Sequence, residues 1–291
     1  MKKTYAEKSN LLVFLGTVAL ISTTVFFLNS CNKKSEKQQV ANSEKESQIT
    51  PKSAKVISAK PEIPDDPTKR YIYLTFDDGP NKGTENLLKI INKYQIPVTS
   101  FVVGKHAYDS KTQANGLKNL EESELVEIAN HSYSHAGNKY SEFYKNPEKV
   151  IQDFDRVKDS LKFKNKYART PGRNIWRTSN INSTDIKTSK LASDELQRAG
   201  YTLIGWDLEW KPDNKMKLKG SHKDMAKRVD SIFFNDLEKT SRHLVFLTHD
   251  QYLQDDDSVQ ELDLFISGLQ NSNRFEFRKI SDYPKINDIL K

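Results

Sequence analysis

Two pairs of side chains that bind metal ions and transfer protons stand at short spacings in this sequence. Asp77 and Asp78 are adjacent in a turn, and His131 and His135 lie four residues apart. Adjacent carboxylates on a tight turn can diverge, so that one binds a metal ion while the other serves as a general base. One aspartate with both histidines would form a three-ligand site with open positions, as in catalytic zinc centres. Each pair alone has an ordinary alternative, namely a polar turn for the aspartates and solvated surface side chains for the histidines.

A second group of candidate residues surrounds two arginines. Arg169 and Arg173 flank Pro171 and Gly172 in a predicted loop. A buried arginine can hold a carboxylate through two hydrogen bonds, and a glycine lets backbone N–H groups approach a ligand closely. The alternative is a surface loop with two solvated arginines.

Three further candidates follow hydrophobic segments near the carboxyl end of the chain. They are Trp206 with Asp207 and, later, His249. An aromatic ring beside a carboxylate can form a platform for a sugar, but the same residues can also end a core strand. A histidine at such a position is either a proton-transfer group or a packed side chain.

The elements that must position these residues alternate between strand and helix from residue 71 onward. Runs rich in β-branched and aromatic residues predict strands, and apolar residues at intervals of three and four predict amphipathic helices. The predicted strands cover residues 71–76, 98–103, 201–206, 244–247 and 275–280, and the predicted helices cover residues 84–94, 147–161, 189–199, 224–237 and 259–269. This alternation predicts an α/β fold with a parallel sheet, whose chemistry lies on loops after the carboxyl ends of the strands.

Taken jointly, these positions resemble the polysaccharide deacetylases, carbohydrate esterase family 4. The resemblance extends over roughly residues 71–285 and is carried by residues 75–80 (TFDDGP), 131–135 (HSYSH), 169–171 (RTP), 206–207 (WD) and 247–249 (LTH). The first two motifs are highly specific as a pair, and all five follow predicted strand ends in order. The resemblance implies a distorted (β/α) barrel of the polysaccharide deacetylase type and a hydrolase that acts on acetylated polysaccharide.

The resemblance also implies roles for individual residues. A divalent metal ion, most often Zn²⁺, would be held by Asp78, His131 and His135. Asp77 would be the general base that accepts a proton from the attacking water, and Arg169 would orient this base.

The remaining motifs imply a general acid and a substrate surface. His249 would protonate the leaving amine, and Asp207 would tune it, because a carboxylate partner raises the pKa of a histidine. Gly172 stands where relatives commonly carry an aromatic residue whose backbone N–H contributes to the oxyanion hole. A glycine still supplies that N–H, so Gly172 can keep this role. The predicted substrate-binding residues are Gly172, Trp206 and Arg173. Arg173 would either reach an anionic group of the substrate or lie solvated at the rim.

Three other polar features match no motif of the family. Residues 211–223 carry five lysines, which indicate either an exposed loop or a rim that attracts an acidic polymer. Three consecutive aspartates at residues 255–257 precede a predicted helix, a position that favours capping over a metal cluster. His106, His222 and His243 are interpreted as structural.

Residues 1–30 are interpreted as a lipoprotein signal peptide. A basic start precedes an uncharged run over residues 11–28, and the residues before Cys31 resemble a bacterial lipoprotein box. Lipidation of Cys31 would tether the protein to the bacterial cell membrane and place the rest outside the cytoplasm. An uncleaved transmembrane anchor is the alternative, because the run is longer than an ordinary signal core.

Composition separates a polar extension from the catalytic part of the chain. Residues 31–70 contain no aromatic residue and predict a disordered tether, whereas residues 71–291 form the predicted deacetylase domain. Most of the formal charge of +7 lies in the first 70 residues. A nearly neutral domain lacks the basic footprint of a nucleic-acid-binding protein, so no nucleic acid is expected as a partner. A single cysteine excludes a disulfide framework and a cysteine-based zinc cluster.

Three functions therefore compete. The leading one is a metal-dependent deacetylase that hydrolyses N-acetyl groups of an envelope or extracellular polysaccharide, such as an N-acetylglucosamine-containing glycan or peptidoglycan. The second is an esterase that removes O-acetyl groups with the same machinery. The third is a glycan-binding surface lipoprotein without catalysis, which would be expected to lack a ligand, the base or the acid.

Overall fold

The structure, a computed structural model, describes residues 63–288. The strands of this part are β1 (Arg70–Gly79), β2 (Val98–Val102), β3 (Val126–Asn130), β4 (Tyr167–Ala168), β5 (Ile175–Arg177), β6 (Asn182–Thr184), β7 (Thr202–Leu203), β8 (Leu208–Glu209), β9 (His243–His249) and β10 (Phe275–Phe277). The helices are α1 (Thr84–Tyr94), α2 (Lys111–Glu122), α3 (Tyr140–Phe143), α4 (Pro147–Leu161), α5 (Lys190–Arg198), α6 (His222–Phe234) and α7 (Asp256–Asn271).

All the strands join one curled sheet. Their order is β6-β5-β7-β4-β3-β2-β1-β9-β8, and β10 pairs with the first residues of β1. The ladders that link β4, β3, β2, β1, β9 and β8 are parallel, whereas β5 is antiparallel to β6 and β7. The described residues form no ladder between the edge strands β6 and β8, so the sheet is a half-barrel. The predicted distorted (β/α) barrel is confirmed.

Strand β1 is central to the core because both of its faces are buried. Ile72, Leu74 and Phe76 pack in a cluster with apolar residues of the surrounding helices. The alternate residues Tyr71 and Tyr73 pack in a second cluster, among side chains of the other strands. A strand buried on both faces is typical of a parallel sheet covered by helices, and it fixes the register of the residues that follow it.

The helix limits follow from amphipathic spacing and from caps. The predicted helices over residues 84–94 and 147–161 agree with α1 and α4, and Asn146 caps α4 by accepting from the backbone N–H of Lys149. Asp255 caps α7 by accepting from the N–H of Ser258, which confirms the capping interpretation of the three aspartates. Helix α2 and strands β3 to β6 were not predicted. The predicted strand over residues 201–206 is ordered as β7 for only two residues before it becomes a loop.

The folded unit begins before the predicted start at residue 71. The Asp65 carboxylate accepts from Arg278 at 2.8 Å and contacts His243 at 2.9 Å, so this part of the predicted tether packs on the domain. The predicted signal peptide, Cys31 and the rest of the tether to residue 62 lie outside the described residues. Within residues 63–288, no helix has the length and apolar character needed to cross a membrane.

Candidate active site

The candidate metal ligands meet at the carboxyl ends of β1 and β3. Asp78 is the penultimate residue of β1 and has a left-handed backbone (φ 69°), and its carbonyl faces the Nδ1 atom of His106 at 2.7 Å. His131 follows β3, and His135 is brought back by a turn in which Ser132 also has a positive φ of 65°. Parallel strands in register place their ends at one edge of the sheet, which is why residues distant in sequence converge here.

Asp78, His131 and His135 form a group whose ligand atoms all lie within 4.8 Å of one another. The Nε2 atoms of His131 and His135 face Asp78 Oδ1 at 3.4 and 3.1 Å. The opposite ring nitrogens are already used, since His131 Nδ1 contacts the Arg169 carbonyl and His135 Nδ1 contacts Asn138 Oδ1. These contacts orient both Nε2 atoms toward the carboxylate, as outer contacts do for metal-binding histidines.

The electrostatics of this cluster also suit a cation. Asp78 Oδ1 is buried without a well-aligned hydrogen bond among the described residues, although the two histidines face it. Burial raises the pKa of the Asp78 carboxyl, but the contacts with His131 and His135 outweigh it and hold the pKa well below its usual range. Burial lowers the pKa of His135, and the Asp78 carboxylate more than compensates, so the net shift is upward. An ionised oxygen with two imidazole nitrogens is a donor set that fits a divalent ion such as zinc.

Asp77 is held by a fully buried arginine. Arg169 Nη1 donates to Asp77 Oδ1 at 2.8 Å and to Thr75 Oγ1 at 2.7 Å. Its Nε and Nη2 donate to the carbonyls of Ile204 and Gly205, so the guanidinium cannot rotate away. The second carboxylate oxygen of Asp77 lies 3.6 Å from His131 Nε2 and makes no contact with Arg169. The arginine therefore leaves one oxygen of Asp77 directed toward the candidate metal cluster.

His249 reaches the same cluster from the end of β9. Its Nε2 lies 3.7 Å from Asp78 Oδ2, and its ring packs against Tyr252 with the centroids 4.9 Å apart. Its Nδ1 is buried and has no hydrogen-bond partner among residues 63–288. The histidine therefore faces the site through Nε2.

Asp207 does not tune His249, and this part of the prediction is wrong. Its carboxylate accepts from the backbone N–H groups of Val245 at 2.8 Å and Lys239 at 2.9 Å. Val245 precedes His249 by four residues, which is about 13 Å along a strand. Burial raises the pKa of Asp207 to about 6. Asp207 therefore links β9 to the loop before it, toward the end of the strand that lies away from the site.

Glu209 is the carboxylate of this segment that lies nearer to the site, although no motif assigns it a role. It pairs with Leu247 in the parallel β8–β9 ladder, closer to the carboxyl end of β9 than Asp207. Burial raises the pKa of Tyr252 most, and the charges of Asp78 and Glu209 raise it further. Burial lowers the pKa of Arg169, and the charges of Asp77 and Glu209 oppose that shift. Asp207 and Glu209 are two residues apart, so the alternation of side chains along a strand would place both on the same face of the sheet. Only the register of β8 against β9 shows that Glu209 lies closer to the carboxyl end of β9.

The predicted substrate-binding residues lie in two environments. Trp206 is partly exposed, and both its N–H and its carbonyl are bound by the Asn174 amide. Arg173 is buried, and its Nε and Nη1 donate to Ser189 Oγ and the Gly172 carbonyl. Its guanidinium lies near two tyrosine rings, so neither the solvated rim nor the predicted reach toward an anionic substrate group describes it.

The lysine-rich segment forms a small hairpin closed by a bridge between Pro212 and Leu218. Lys217 pairs with Asp255 at 3.0 Å and with Asp257 at 2.9 Å. This lysine is therefore neutralised by carboxylates of the α7 N-terminus and is not free to attract an acidic polymer. The exposed-loop interpretation holds for the segment, with Lys217 as its anchor.

One residue missed from sequence supports the histidine motif. Asp153 of α4 accepts through Oδ2 from the backbone N–H groups of Tyr133 and Ser134, at 3.0 and 3.1 Å. It holds the loop between the two candidate ligands. The only signal in the sequence is an aspartate on the inner side of an amphipathic helix, which does not indicate a particular partner.

The fold and the site define this chain as a curled (β/α) barrel with an Asp-His-His cluster at the carboxyl edge of its sheet. The family model for polysaccharide deacetylases matches residues 65–188, which carry the first three motifs. The resemblance to this family that the motifs predict is confirmed over these residues.

Two solved structures share this fold. The catalytic domain of peptidoglycan N-acetylglucosamine deacetylase from Eubacterium rectale superposes with a TM-score of 0.54 at 21% identity, covering 80% of this chain and 98% of that one. A carbohydrate esterase family 4 enzyme from Streptococcus mutans gives a TM-score of 0.53 at 20% identity, covering 72% and 86% of the two chains. At these identities the likeness establishes the fold.

Curated relatives match over shorter segments. Peptidoglycan-N-acetylmuramic acid deacetylase PdaC of Bacillus subtilis is 43% identical over 82 residues, which are 28% of this chain and 16% of that protein. A chitooligosaccharide deacetylase of Rhizobium leguminosarum is 40% identical over 67 residues, which are 23% of this chain and 29% of that protein. The chain thus matches less than a third of the length of each of these two relatives.

Proposed function

We propose that this protein is a metal-dependent deacetylase that hydrolyses N-acetyl groups of an envelope or extracellular polysaccharide. One observation carries the proposal: a candidate base and a candidate acid border the same candidate metal cluster, with Asp77 facing His131 and His249 facing Asp78. Asp78 contacts the two ligand histidines through Oδ1 and faces His249 through Oδ2, while the adjacent Asp77 is clamped by Arg169. A glycan-binding protein without catalysis has no need for this arrangement.

Asp78, His131 and His135 would hold the ion, with Nε2 of each histidine and a carboxylate oxygen as donors. A bound divalent cation would polarise the acetyl carbonyl and lower the pKa of a nearby water molecule. The remaining chemistry belongs to the residues around it.

Asp77 is proposed as the general base. Arg169 occupies one oxygen of its carboxylate, so the other is presented in a fixed direction to a water molecule at the site. General bases must lie within hydrogen-bond reach of the proton they accept, and a buried arginine clamp provides that orientation. The carboxyl that results from proton transfer stays bonded to Arg169.

His249 is proposed as the general acid. Its Nε2–H would donate a proton to the leaving nitrogen as the acetyl C–N bond breaks, releasing acetate and a free amine. No described residue supplies a direct hydrogen-bond partner for Nδ1, and Tyr252 packs against the ring. Packing rather than a carboxylate contact therefore positions this acid.

The names of the relatives support an amide-linked acetyl group on an amino sugar as the substrate. One relative is named for peptidoglycan N-acetylmuramic acid and another for chitooligosaccharide. We infer an N-acetylglucosamine-containing glycan or peptidoglycan for this chain. Cleavage at a lipidated Cys31 would present the domain to such a polymer from the outer side of a bacterial membrane, and an intact mass that still includes residues 1–30 would contradict this anchoring.

The test is acetate release by the full chain, purified in detergent with zinc restored. The substrates are N-acetylglucosamine oligomers, peptidoglycan and O-acetylated xylan, each assayed with and without a chelator. Asp77→Asn removes the proposed base, and Asp236→Asn is the matched control at an exposed residue with a left-handed backbone. We expect Asp77→Asn to lower kcat by about 10²- to 10⁴-fold and the control to be silent.

Each outcome selects among the functions. Chelator-sensitive acetate from an N-acetylated substrate supports the deacetylase, whereas release from xylan alone identifies an O-acetyl esterase. A folded, zinc-loaded protein that binds these glycans without releasing acetate would overturn the catalytic proposal and favour a binding protein.

A further inference from the structure

The third motif loop has no side chain at Gly172, yet the space beside it is filled. Gly172 has a left-handed backbone (φ 62°), a conformation in which a side chain would be strained. A Cβ atom built there would lie 3.0 Å from two ring carbons of Tyr140 and 3.1 Å from a third. The Tyr140 ring therefore occupies the position that a side chain at residue 172 would need.

Tyr140 is held in this position from several directions. Its ring meets the candidate ligand His135 edge to face, with centroids 5.7 Å apart and an interplanar angle of 89°. The Arg173 guanidinium lies 5.6 Å from its centroid. Beside it, Tyr144 donates to the Pro171 carbonyl at 2.8 Å and so ties the helix α3 end to the motif loop.

The ring is also partly exposed, unlike its neighbour Tyr144, which is buried. An aromatic ring that is open to solvent beside polar catalytic groups suits a pyranose, which has an apolar C–H face and polar hydroxyl groups. Ligand sites of this kind combine aromatic walls with a few placed polar atoms.

We propose that Tyr140 is a specificity-determining residue that forms the aromatic wall of the sugar site, with the glycan ring packing on it beside His135. The inference rests on the proposed function, because it assumes that the substrate is an acetylated glycan. It assigns the aromatic contribution to helix α3, which lies outside all five motifs. Glycine at residue 172 is then needed to make room for this tyrosine, because the Tyr140 ring fills the space that a side chain at residue 172 would occupy.

A purely structural tyrosine would behave differently. If Tyr140 only supported His135, its removal would change zinc binding and kcat together. A sugar wall instead affects glycan affinity and KM while the metal site stays intact, because the candidate ligands also have contacts from Arg169 and Asn138.

The experiment measures glycan binding separately from catalysis. Full-length zinc-loaded protein carrying Asp77→Asn is titrated calorimetrically with N-acetylglucosamine tetramer, alone and combined with Tyr140→Ala or Tyr140→Phe. The control is Phe234→Ala, which removes an 85% exposed aromatic ring from the end of α6 that leads toward the first residues of β9. Zinc content and thermal unfolding are recorded for every variant. The values of kcat and KM are measured for the same Tyr140 and Phe234 substitutions in protein that retains Asp77.

We expect Tyr140→Ala to raise Kd and KM about tenfold, with zinc content unchanged and kcat within about threefold. Tyr140→Phe should retain most of the affinity, since the ring is kept, and Phe234→Ala should match its parent. Unchanged Kd and KM in Tyr140→Ala, or loss of zinc in that variant, would overturn the inference even if the parent releases acetate. Tyr140-dependent binding in a protein that releases no acetate would refute the proposed function and leave this inference standing. Absence of tetramer binding by the parent would overturn the assigned sugar wall.

Discussion

Strand β9 begins with His243 and ends with His249, and the two histidines lie in opposite kinds of environment. His243 uses both ring nitrogens, with Tyr73 Oη 2.9 Å from Nδ1 and Asp65 Oδ2 2.9 Å from Nε2. Its ring also stacks on Tyr71 at 4.9 Å. His249 lacks a partner for Nδ1 among the described residues and faces Asp78 at a distance too long for a hydrogen bond.

This difference separates stability from function within one strand. The cluster around His243 joins Asp65 to Arg278 and closes the amino-terminal edge of the sheet with satisfied polar groups. At the carboxyl edge, Asp78 Oδ1 and His249 Nδ1 are buried without well-aligned partners. Such groups cost free energy in a folded protein, and they are retained where a ligand or a reaction uses them. The same residue type therefore stabilises one end and is available for chemistry at the other.

Replacing Asp78 should produce the largest effect at the carboxyl edge. Asp78→Asn removes the charged donor between the two histidines, so zinc content should fall to background and acetate release should disappear. Thermal stability without zinc should also fall, because the contacts with His131 and His135 that lower the pKa of Asp78 also stabilise the folded state. Metal analysis, acetate assay and calorimetry check these outcomes. A variant that keeps stoichiometric zinc would show that the ion is held elsewhere.

Exchanging each histidine of β9 tests the contrast directly. His249→Gln should lower kcat by about 10²- to 10⁴-fold and leave Tm nearly unchanged. His243→Gln should leave kcat unchanged and lower Tm by roughly 2–8 °C, because contacts with Asp65 and Tyr73 are weakened. Steady-state kinetics and scanning calorimetry on both variants provide the comparison. If both variants lose activity in proportion to stability, the division between the two edges is wrong.

The carboxylates of the segment before β9 should differ in the same way, with smaller effects. Glu209→Gln should lower kcat roughly tenfold, because it removes a charge near Arg169 and Tyr252. Asp207→Asn should lower the free energy of unfolding by about 1 kcal/mol and change kcat less than twofold, since its partners are backbone N–H groups. Kinetics and urea unfolding of each variant measure these quantities. A large loss of kcat in Asp207→Asn alone would restore the tuning role expected from the motif.

The smallest expected effect is a pH dependence of stability from His243. Burial lowers the pKa of His243, although the Asp65 carboxylate opposes this shift. Below about pH 6.5 the unfolded state therefore binds a proton at His243 more readily than the folded state does. The contribution of neutral His243 to the free energy of unfolding is thus present at neutral pH and is lost as the pH falls.

The measurement is urea unfolding at pH 7, 6 and 5 with a chelator present, so that metal binding adds no pH dependence of its own. His243→Gln should show a shallower loss of stability between pH 7 and pH 5 than the parent protein. Equal slopes would mean that the buried histidine is not the group that titrates.

Local patterns were sufficient where short-range interactions determine the structure. Helix α1 agrees with the sequence prediction to the residue, because its apolar spacing is strong. Helix α2 was missed because it contains Gly116 and buries only Leu117 and Leu120, so its periodic signal is weak. Strands β4 to β6 are two or three residues long and exist only through pairing with neighbours that are distant in sequence.

The same division applies to the candidate site. The motifs indicated Asp77, Asp78, Arg169 and the histidines, because residues after parallel strands must meet at one edge. They did not indicate that the Asp207 carboxylate accepts from the backbone N–H of Val245 and does not contact His249. That position follows from the register of the β8–β9 ladder. Nor did they indicate that Tyr140 fills the space beside Gly172.

The amino-acid sequence was enough to predict the resemblance to polysaccharide deacetylases, the alternation of strand and helix, and the residue types able to hold a metal ion and move protons. Those properties depend on composition and spacing along the chain, which are local. The folded arrangement was needed to show which carboxylate faces which histidine, that Arg173 is buried, and that an aromatic ring of α3 borders the site. These outcomes depend on sheet register and on the sharing of volume between distant segments, and no single segment encodes either.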